Sequence, residues 1–174
     1  MIRNPCPESV KDIFLGSFKM GRFVHYMEKT PVGVLSLAEE NGKIVSIDFG
    51  HIEMGEAEVK ATPILKQAVR ELEEYFAGKR QRFEVVFAVP GTEWQKKVWR
   101  ALCAIPYGEV RSYRDIAEAA GNPKACRAVG GANHKNPIPI IIPCHRVVGA
   151  DGSMVGFGGG IDIKEKLLRI EGRS

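Results

Sequence analysis

At Pro90-Gly91 the chain changes its hydrophobic period, and that change bounds what it can fold into. Before the dipeptide, apolar residues alternate in short runs over 23–27, 34–38 and 43–49, separated by Thr30-Pro31-Val32-Gly33 and Glu40-Asn41-Gly42. Alternation interrupted by Asn-Gly, two residues that tolerate positive φ, predicts an antiparallel meander. The polar stretch 50–61 reads as a loop. A helix should open at Thr62, with Pro63 in its first position, Gly78 just past its end and Leu65, Ala68, Val69, Leu72, Tyr75 and Phe76 on one stripe. Residues 83–89 read as one more strand.

After Pro90-Gly91 the pattern turns helical. Thr92 and Gln95 form a capping box ahead of Trp94, Val98 and Leu102, and Ile105-Pro106-Tyr107-Gly108 closes that helix. Ser112 and Asp115 cap a short helix to about Ala120, Gly121-Asn122 turns the chain, and Pro123 opens another helix to about His134. Two short helices joined by a Gly-containing turn predict a helix-turn-helix, a pattern shared with an ordinary helical hairpin. The expected fold is α+β: an N-terminal α/β domain with an antiparallel sheet over 1–90, and a mostly helical domain over 91–174.

The charge is uneven across the same boundary. Residues 1–90 carry 12 basic and 13 acidic side chains, whereas 91–174 carry 13 and 8. An excess of positive charge confined to one half suits a polyanionic partner, and it also suits a plain solvated surface. No apolar run reaches the ~18–20 residues of a membrane helix, and 1–20 lack the continuous apolar core of a secretory signal, so a cytoplasmic protein without membrane contact is expected. Cys6, Cys103, Cys126 and Cys144 are far apart, which argues against a disulfide framework.

Chemistry is expected in the segment 136–148. Pro137, Pro139 and Pro143 stiffen the approach, Ile140-Ile141-Ile142 should be buried, and Cys144 emerges before the polar His145-Arg146. A thiol fixed at the end of a stiff segment suits a positioned nucleophile. With an ordinary pKa near ~8.5 it needs a base, and His145 is next door. Neighbours in an extended segment point opposite ways, and a buried structural cysteine before a surface histidine fits the same residues.

Pro143-Cys144-His145-Arg146-Val147, with Asn136-Pro137 ahead of it, resembles the O6-alkylguanine-DNA alkyltransferases (methylated-DNA–protein-cysteine methyltransferases). The resemblance also takes in Ile105 through Val110, Ser112-Tyr113, Arg127-Ala128-Val129-Gly130, Gly156-Phe157-Gly158-Gly159-Gly160, Lys164 through Leu168 and Glu171-Gly172; it is dense over 90–173 and looser at Thr30-Pro31-Val32-Gly33. It implies a ribonuclease H-like first domain and a second that binds duplex DNA and moves an alkyl group from O6 of guanine, or O4 of thymine, to Cys144, once and irreversibly. By resemblance, His145 is the base acting through a water, Glu171 orients it, Asn136 ties the helix-turn-helix to the active segment and Arg146 is a buried structural cation. Arg127 fills the stack left by the flipped base while its helix docks in the minor groove among the small residues Ala125, Ala128, Gly130, Gly131 and Ala132. Tyr113 touches the backbone or the base, Arg114 and Asn122 meet phosphates, and Ala150 offers a backbone N–H. Tyr113, Val147, Phe157 and Gly158 wall the pocket.

Two departures stand out. Many relatives carry tyrosine where Phe157 stands, and some carry serine at Gly158, so a roomier pocket is expected. Cys6, His25 and His51 fit no compact zinc motif; no metal, cofactor or obligate protein partner is expected. Cys103 and Cys126 are expected as buried hydrophobes. Two other classes fit part of the pattern: a DNA-binding regulator with a structural Cys144, and a Cys-His-Glu hydrolase, for which no oxyanion loop is visible.

Overall fold

The computed structural model describes residues 21–173, so the irregular lead expected over 1–20, and Cys6 with it, lie outside the described residues. The chain divides into two compact units, one ending at Val89 and the other starting at Pro90.

In the first unit, strands β1 (Arg22–Met27), β2 (Leu35–Glu40) and β3 (Lys43–Phe49) form the antiparallel meander. Asn41 and Gly42 turn at φ 52° and 71°, the left-handed pair that a two-residue hairpin needs. A two-residue strand, β4 (Glu58–Val59), adds in parallel to β1, so the stretch expected as a loop contains an edge strand. Helix α1 (Pro63–Phe76) begins as expected, Thr62 accepting the Leu65 N–H and Pro63 leading the first turn. Its Leu65, Ala68, Leu72 and Tyr75 are buried, as are Val24, Leu35, Leu37, Ile44 and Ile47 of the sheet. Each buried leucine, isoleucine or valine among them contributes roughly 1.5–3 kcal/mol.

The strand expected over 83–89 does not form. Only Ile44 and Phe87 bridge, because the N–H groups of Glu84 and Val85 donate instead to the buried Glu71 carboxylate of α1, at 2.8 and 3.1 Å.

In the second unit, α2 (Glu93–Cys103) carries the Thr92–Gln95 capping box and buries Val98, Trp99 and Leu102. The Trp99 indole N–H donates to Ala132 O at 3.0 Å, anchoring α2 to the helix that spans Cys126–His134. Strand β5 (Arg111–Ser112) leads into α3 (Tyr113–Ala119), whose Ser112–Asp115 box is complete. The next helix, α4 (Cys126–His134), starts three residues later than Pro123 suggested: Pro123 and Lys124 form a turn in which Asn122 Oδ1 accepts the Lys124 N–H. Helices α3 and α4 pack together as the helix-turn-helix. Beyond them come a single 3-10 turn (Cys144–Arg146), β6 (Val147–Val148) paired in parallel with β5, and α5 (Ile161–Ile170). Cys103 and Cys126 are only half-buried, because each sits at a helix end rather than at the centre of the packed face. Among the described residues no helix is long and apolar enough to cross a membrane.

Candidate active site

The seat of Cys144 is built before the cysteine is reached. Ile138, Ile140, Ile141 and Ile142 are buried, and Ile140 adopts φ 76°, a left-handed conformation that a β-branched residue rarely takes and that costs on the order of 1–3 kcal/mol. The Ile142 N–H donates to Ile138 O at 2.9 Å and closes this tight loop. Asn136 clamps it from the end of α4: its Oδ1 accepts the Ile138 N–H at 3.0 Å, while Nδ2 donates to Ile142 O at 2.8 Å and to Cys144 Sγ at 3.1 Å.

The 3-10 turn replaces the extended geometry expected around Cys144 and brings three consecutive side chains into the interior. His145 is fully buried, with Nε2 2.7 Å from Glu171 Oε1. Arg146 grips the same carboxylate in a fork, Nε to Oε2 at 2.9 Å and Nη2 to Oε1 at 3.0 Å, while Nη1 donates to Ile105 O at 2.7 Å. The Gly108 N–H adds a further donor to Glu171 Oε2 at 3.1 Å. Gly108 has φ 77°, and a Cβ there would stand 3.0 Å from Glu171 O, so only glycine lets the backbone come this close. Glu171 caps the end of α5 and is almost completely buried, not the exposed terminal acid its position suggests.

These contacts set the protonation states. Burial raises the Glu171 carboxyl, but hydrogen bonds and charge from His145 and Arg146 outweigh it and hold the pKa at about 2. Burial pushes His145 below its ordinary value against the pull of Glu171, so the imidazole is neutral near pH 7. With Nε2 donating to the carboxylate, the basic lone pair lies on Nδ1, a tautomer inferred from the hydrogen bond. Burial pushes the Cys144 thiol up to about 11, opposed by the Asn136 hydrogen bond, a backbone N–H and the Lys164 charge. The resting pair is thus a neutral thiol and a neutral base.

Cys144 lines a cavity of about 450 Å³, together with Tyr113, Gly130, Asn133, His134 and Val155 to Gly158. Of the residues expected in the pocket wall, Tyr113, Phe157 and Gly158 are there. Val147 is not among the lining residues: it is fully buried in β6, and its carbonyl instead accepts from Lys164 Nζ. Burial and the nearby Cys144 raise the Tyr113 phenol, which keeps its proton and donates to Val155 O at 3.3 Å. Nothing lies within 4 Å of where a Gly158 Cβ would stand, so that wall is open.

Arg127, Arg114, Asn122 and Ala150 are exposed, on α4, α3, the turn between them and the loop after β6. Arg114 pairs with Glu118 at 3.0 Å, a surface contact that a phosphate could replace. Two residues belong to the site that the sequence left without a role: Lys164, which falls within the resemblance, and Asn133, which does not. Lys164, in a polar Lys-Glu-Lys stretch, is fully buried; its Nζ bonds Val155 O at 2.8 Å, and burial draws its pKa down to about 8. Asn133 lines the cavity three residues beyond Gly130 on α4. Among the described residues no group of three His, Cys, Asp or Glu side chains is placed to hold a metal, and His51 stacks on Tyr26.

Comparison with known proteins converges on one family. Residues 23–89 match the family model for the ribonuclease-like domain of 6-O-methylguanine DNA methyltransferase, and residues 93–173 match the model for its DNA binding domain. A methylated-DNA–protein-cysteine methyltransferase of Methanosarcina acetivorans is 51% identical over 148 residues, 83% of this chain and 95% of that protein. The constitutive one of Bacillus subtilis is 46% identical over 151 residues, 82% and 92% of the two chains. The crystal structure of Mycobacterium tuberculosis OGT in complex with DNA superposes with a TM-score of 0.79 at 42% identity, covering 86% of this chain and 92% of that one.

Proposed function

The chain belongs to the methylated-DNA–protein-cysteine methyltransferase family, and from that premise we propose that Cys144 is the alkyl acceptor and that His145, Glu171 and Asn136 make it one. The activity is direct reversal of O6-alkylguanine damage in duplex DNA by transfer to the protein's own cysteine. The observation that carries the assignment is a thiol facing an open cavity with a buried His145–Glu171–Arg146 cluster directly behind it.

The proton of Cys144 passes to His145, directly or through one water, and Glu171 stabilises the imidazolium that forms. The thiolate attacks the alkyl carbon in line with O6; a C–S bond forms as the C–O bond breaks, and its electron pair leaves on guanine. The purine takes up a proton to become ordinary guanine, so the thiol proton is balanced by the one gained on the base. Sulfur keeps the alkyl group as a thioether, which has no leaving group that water displaces, and one molecule repairs one lesion. Mass spectrometry after incubation with excess O6-methylguanine duplex should find one added methylene per chain, all of it on Cys144. Recovery of unmodified protein beside fully repaired DNA would rule the scheme out.

A cysteine inside a cavity reaches a base only if the nucleotide leaves the stack. Helix α4 docks in the minor groove on its small residues, Arg127 enters the space the base vacates, and Arg114, Asn122 and the backbone near Ala150 meet phosphates. The minor groove distinguishes sequence poorly, which suits repair at any site. O4-alkylthymine fits the same chemistry. The reaction belongs in the compartment that holds DNA: the cytoplasm of a prokaryote, or the nucleus of a eukaryote. With glycine at 158, O6-benzylguanine is expected to alkylate Cys144 readily; complete rejection of the benzyl lesion beside normal methyl transfer would refute the roomier pocket.

A further inference from the structure

Two asparagines three residues apart at the end of α4 have opposite fates. Asn136 is satisfied at both ends of its carboxamide, by Ile138 N–H on Oδ1 and by Ile142 O and Cys144 Sγ on Nδ2. Asn133 is buried at both ends, and neither Nδ2 nor Oδ1 has a hydrogen-bond partner in the protein. A carboxamide has two donors and an acceptor, and stripping them of water without replacement is unfavourable. Buried polar groups of native proteins are nearly always paired, so such a group calls for a partner from outside the chain, whether water, an ion or a ligand.

Asn133 lines the cavity that holds Cys144. Elsewhere in that wall Gly130, Val155, Gly156, Phe157 and Gly158 carry no polar side chain, the Tyr113 phenol is turned to the carbonyls of Val155 and Gly156, and His134 is exposed to solvent, so its imidazole can be satisfied by water. An extruded O6-alkylguanine arrives with ring nitrogens that accept and an amino group that donates, the complement of a carboxamide. We propose that Asn133 is a substrate-binding residue whose carboxamide completes its hydrogen bonds only on an edge of the flipped base, so that the free protein carries an unmet polar group as the condition for recognising its lesion. The proposal rests on the alkyl-transfer reading of the same cavity and adds to it the group that holds the base.

The test is Asn133→Leu, close to isosteric and apolar, with Asn133→Ala as the second variant. Two single-turnover rates are compared: alkyl transfer from O6-methylguanine duplex, and alkylation of Cys144 by iodoacetamide, which needs no base recognition. The ratio of the first to the second should fall about tenfold or more in both variants, as for one well-made hydrogen bond lost. The melting temperature of Asn133→Leu should equal or exceed that of the parent, since it removes an unsatisfied burial. An unchanged ratio overturns the proposal, and so does a parallel fall in both rates, which would mean that Asn133 organises the thiol. A lower melting temperature in Asn133→Leu overturns it too, because the carboxamide would then be satisfied in the free fold. Failure of the parent protein to touch O6-methylguanine would instead sink the transfer reading itself.

Discussion

Replacing Cys144 with alanine is expected to abolish alkyl transfer completely while leaving affinity for duplex DNA within about twofold of the parent, a margin worth roughly 0.4 kcal/mol. Of the groups lining the cavity, this sulfur is the softest nucleophile, and Asn136 seats it there. The Tyr113 phenol is held in its protonated form by burial, and His134 stands exposed at the end of α4. The substitution removes one buried atom and one Asn136 hydrogen bond, yet Asn136 keeps its contacts to Ile138 and Ile142, so the seat of residue 144 stays closed. Serine is expected to be equally inactive, since its hydroxyl is far harder to ionise beside a neutral imidazole. Gel-shift titration and intact-mass spectrometry read the two halves of the expectation. Residual transfer in Cys144→Ala would put the acceptor elsewhere; loss of DNA binding would make Cys144 a structural residue.

Glu171→Gln should be the most damaging single change to the fold of the second unit. It leaves the Arg146 guanidinium buried beside a neutral amide, and removing one partner of a buried pair typically costs about 3–5 kcal/mol. It also removes the negative charge that favours His145 as an imidazolium, so transfer should slow by orders of magnitude even where the protein stays folded. The same residue governs acid stability. Its folded pKa of about 2 lies below the unfolded reference, so between the two values the unfolded chain binds more protons and stability rises with pH. A shift of this size is worth roughly 3 kcal/mol, present in full above about pH 5 and lost as pH falls towards 2. His145 acts in the same direction from about pH 6.5 downward, because its lowered pKa means that the unfolded chain charges first. Denaturant melts across pH 2–7 should show this acid limb in the parent and a much flatter one in Glu171→Gln. Identical profiles would show that the carboxylate is not held as described.

What the sequence made visible followed from local rules. Asn41-Gly42, the Thr62–Pro63 helix start and the capping boxes at Thr92 and Ser112 each satisfy their own backbone within four residues, and each element formed where expected. What escaped depends on partners far along the chain. The two-residue β4 has no period to detect, and the strand over 83–89 was lost to a carboxylate on α1. Lys164 falls within the resemblance but has no role there, and its burial depends on two carbonyls from 147 and 155 that accept from it. Cys144, His145, Asn136 and Glu171 were marked by motif resemblance, and their convergence needs the 3-10 turn and Gly108, neither of which is encoded as a repeat. Asn133 leaves no trace in the pattern, since an unmet buried amide exists only once the fold surrounds it.

The loop carrying Ile140 at φ 76°, clamped by Asn136 and walled by isoleucines, allows the sulfur almost no positional freedom. The opposite face of the cavity, at 155–158, is glycine-rich and partly exposed. Selectivity and reactivity are therefore carried by separate stretches of chain. A library randomised over 155–158 would yield enzymes retuned to bulkier leaving bases or adducts, whereas one randomised over 138–142 would return mostly inclusion bodies.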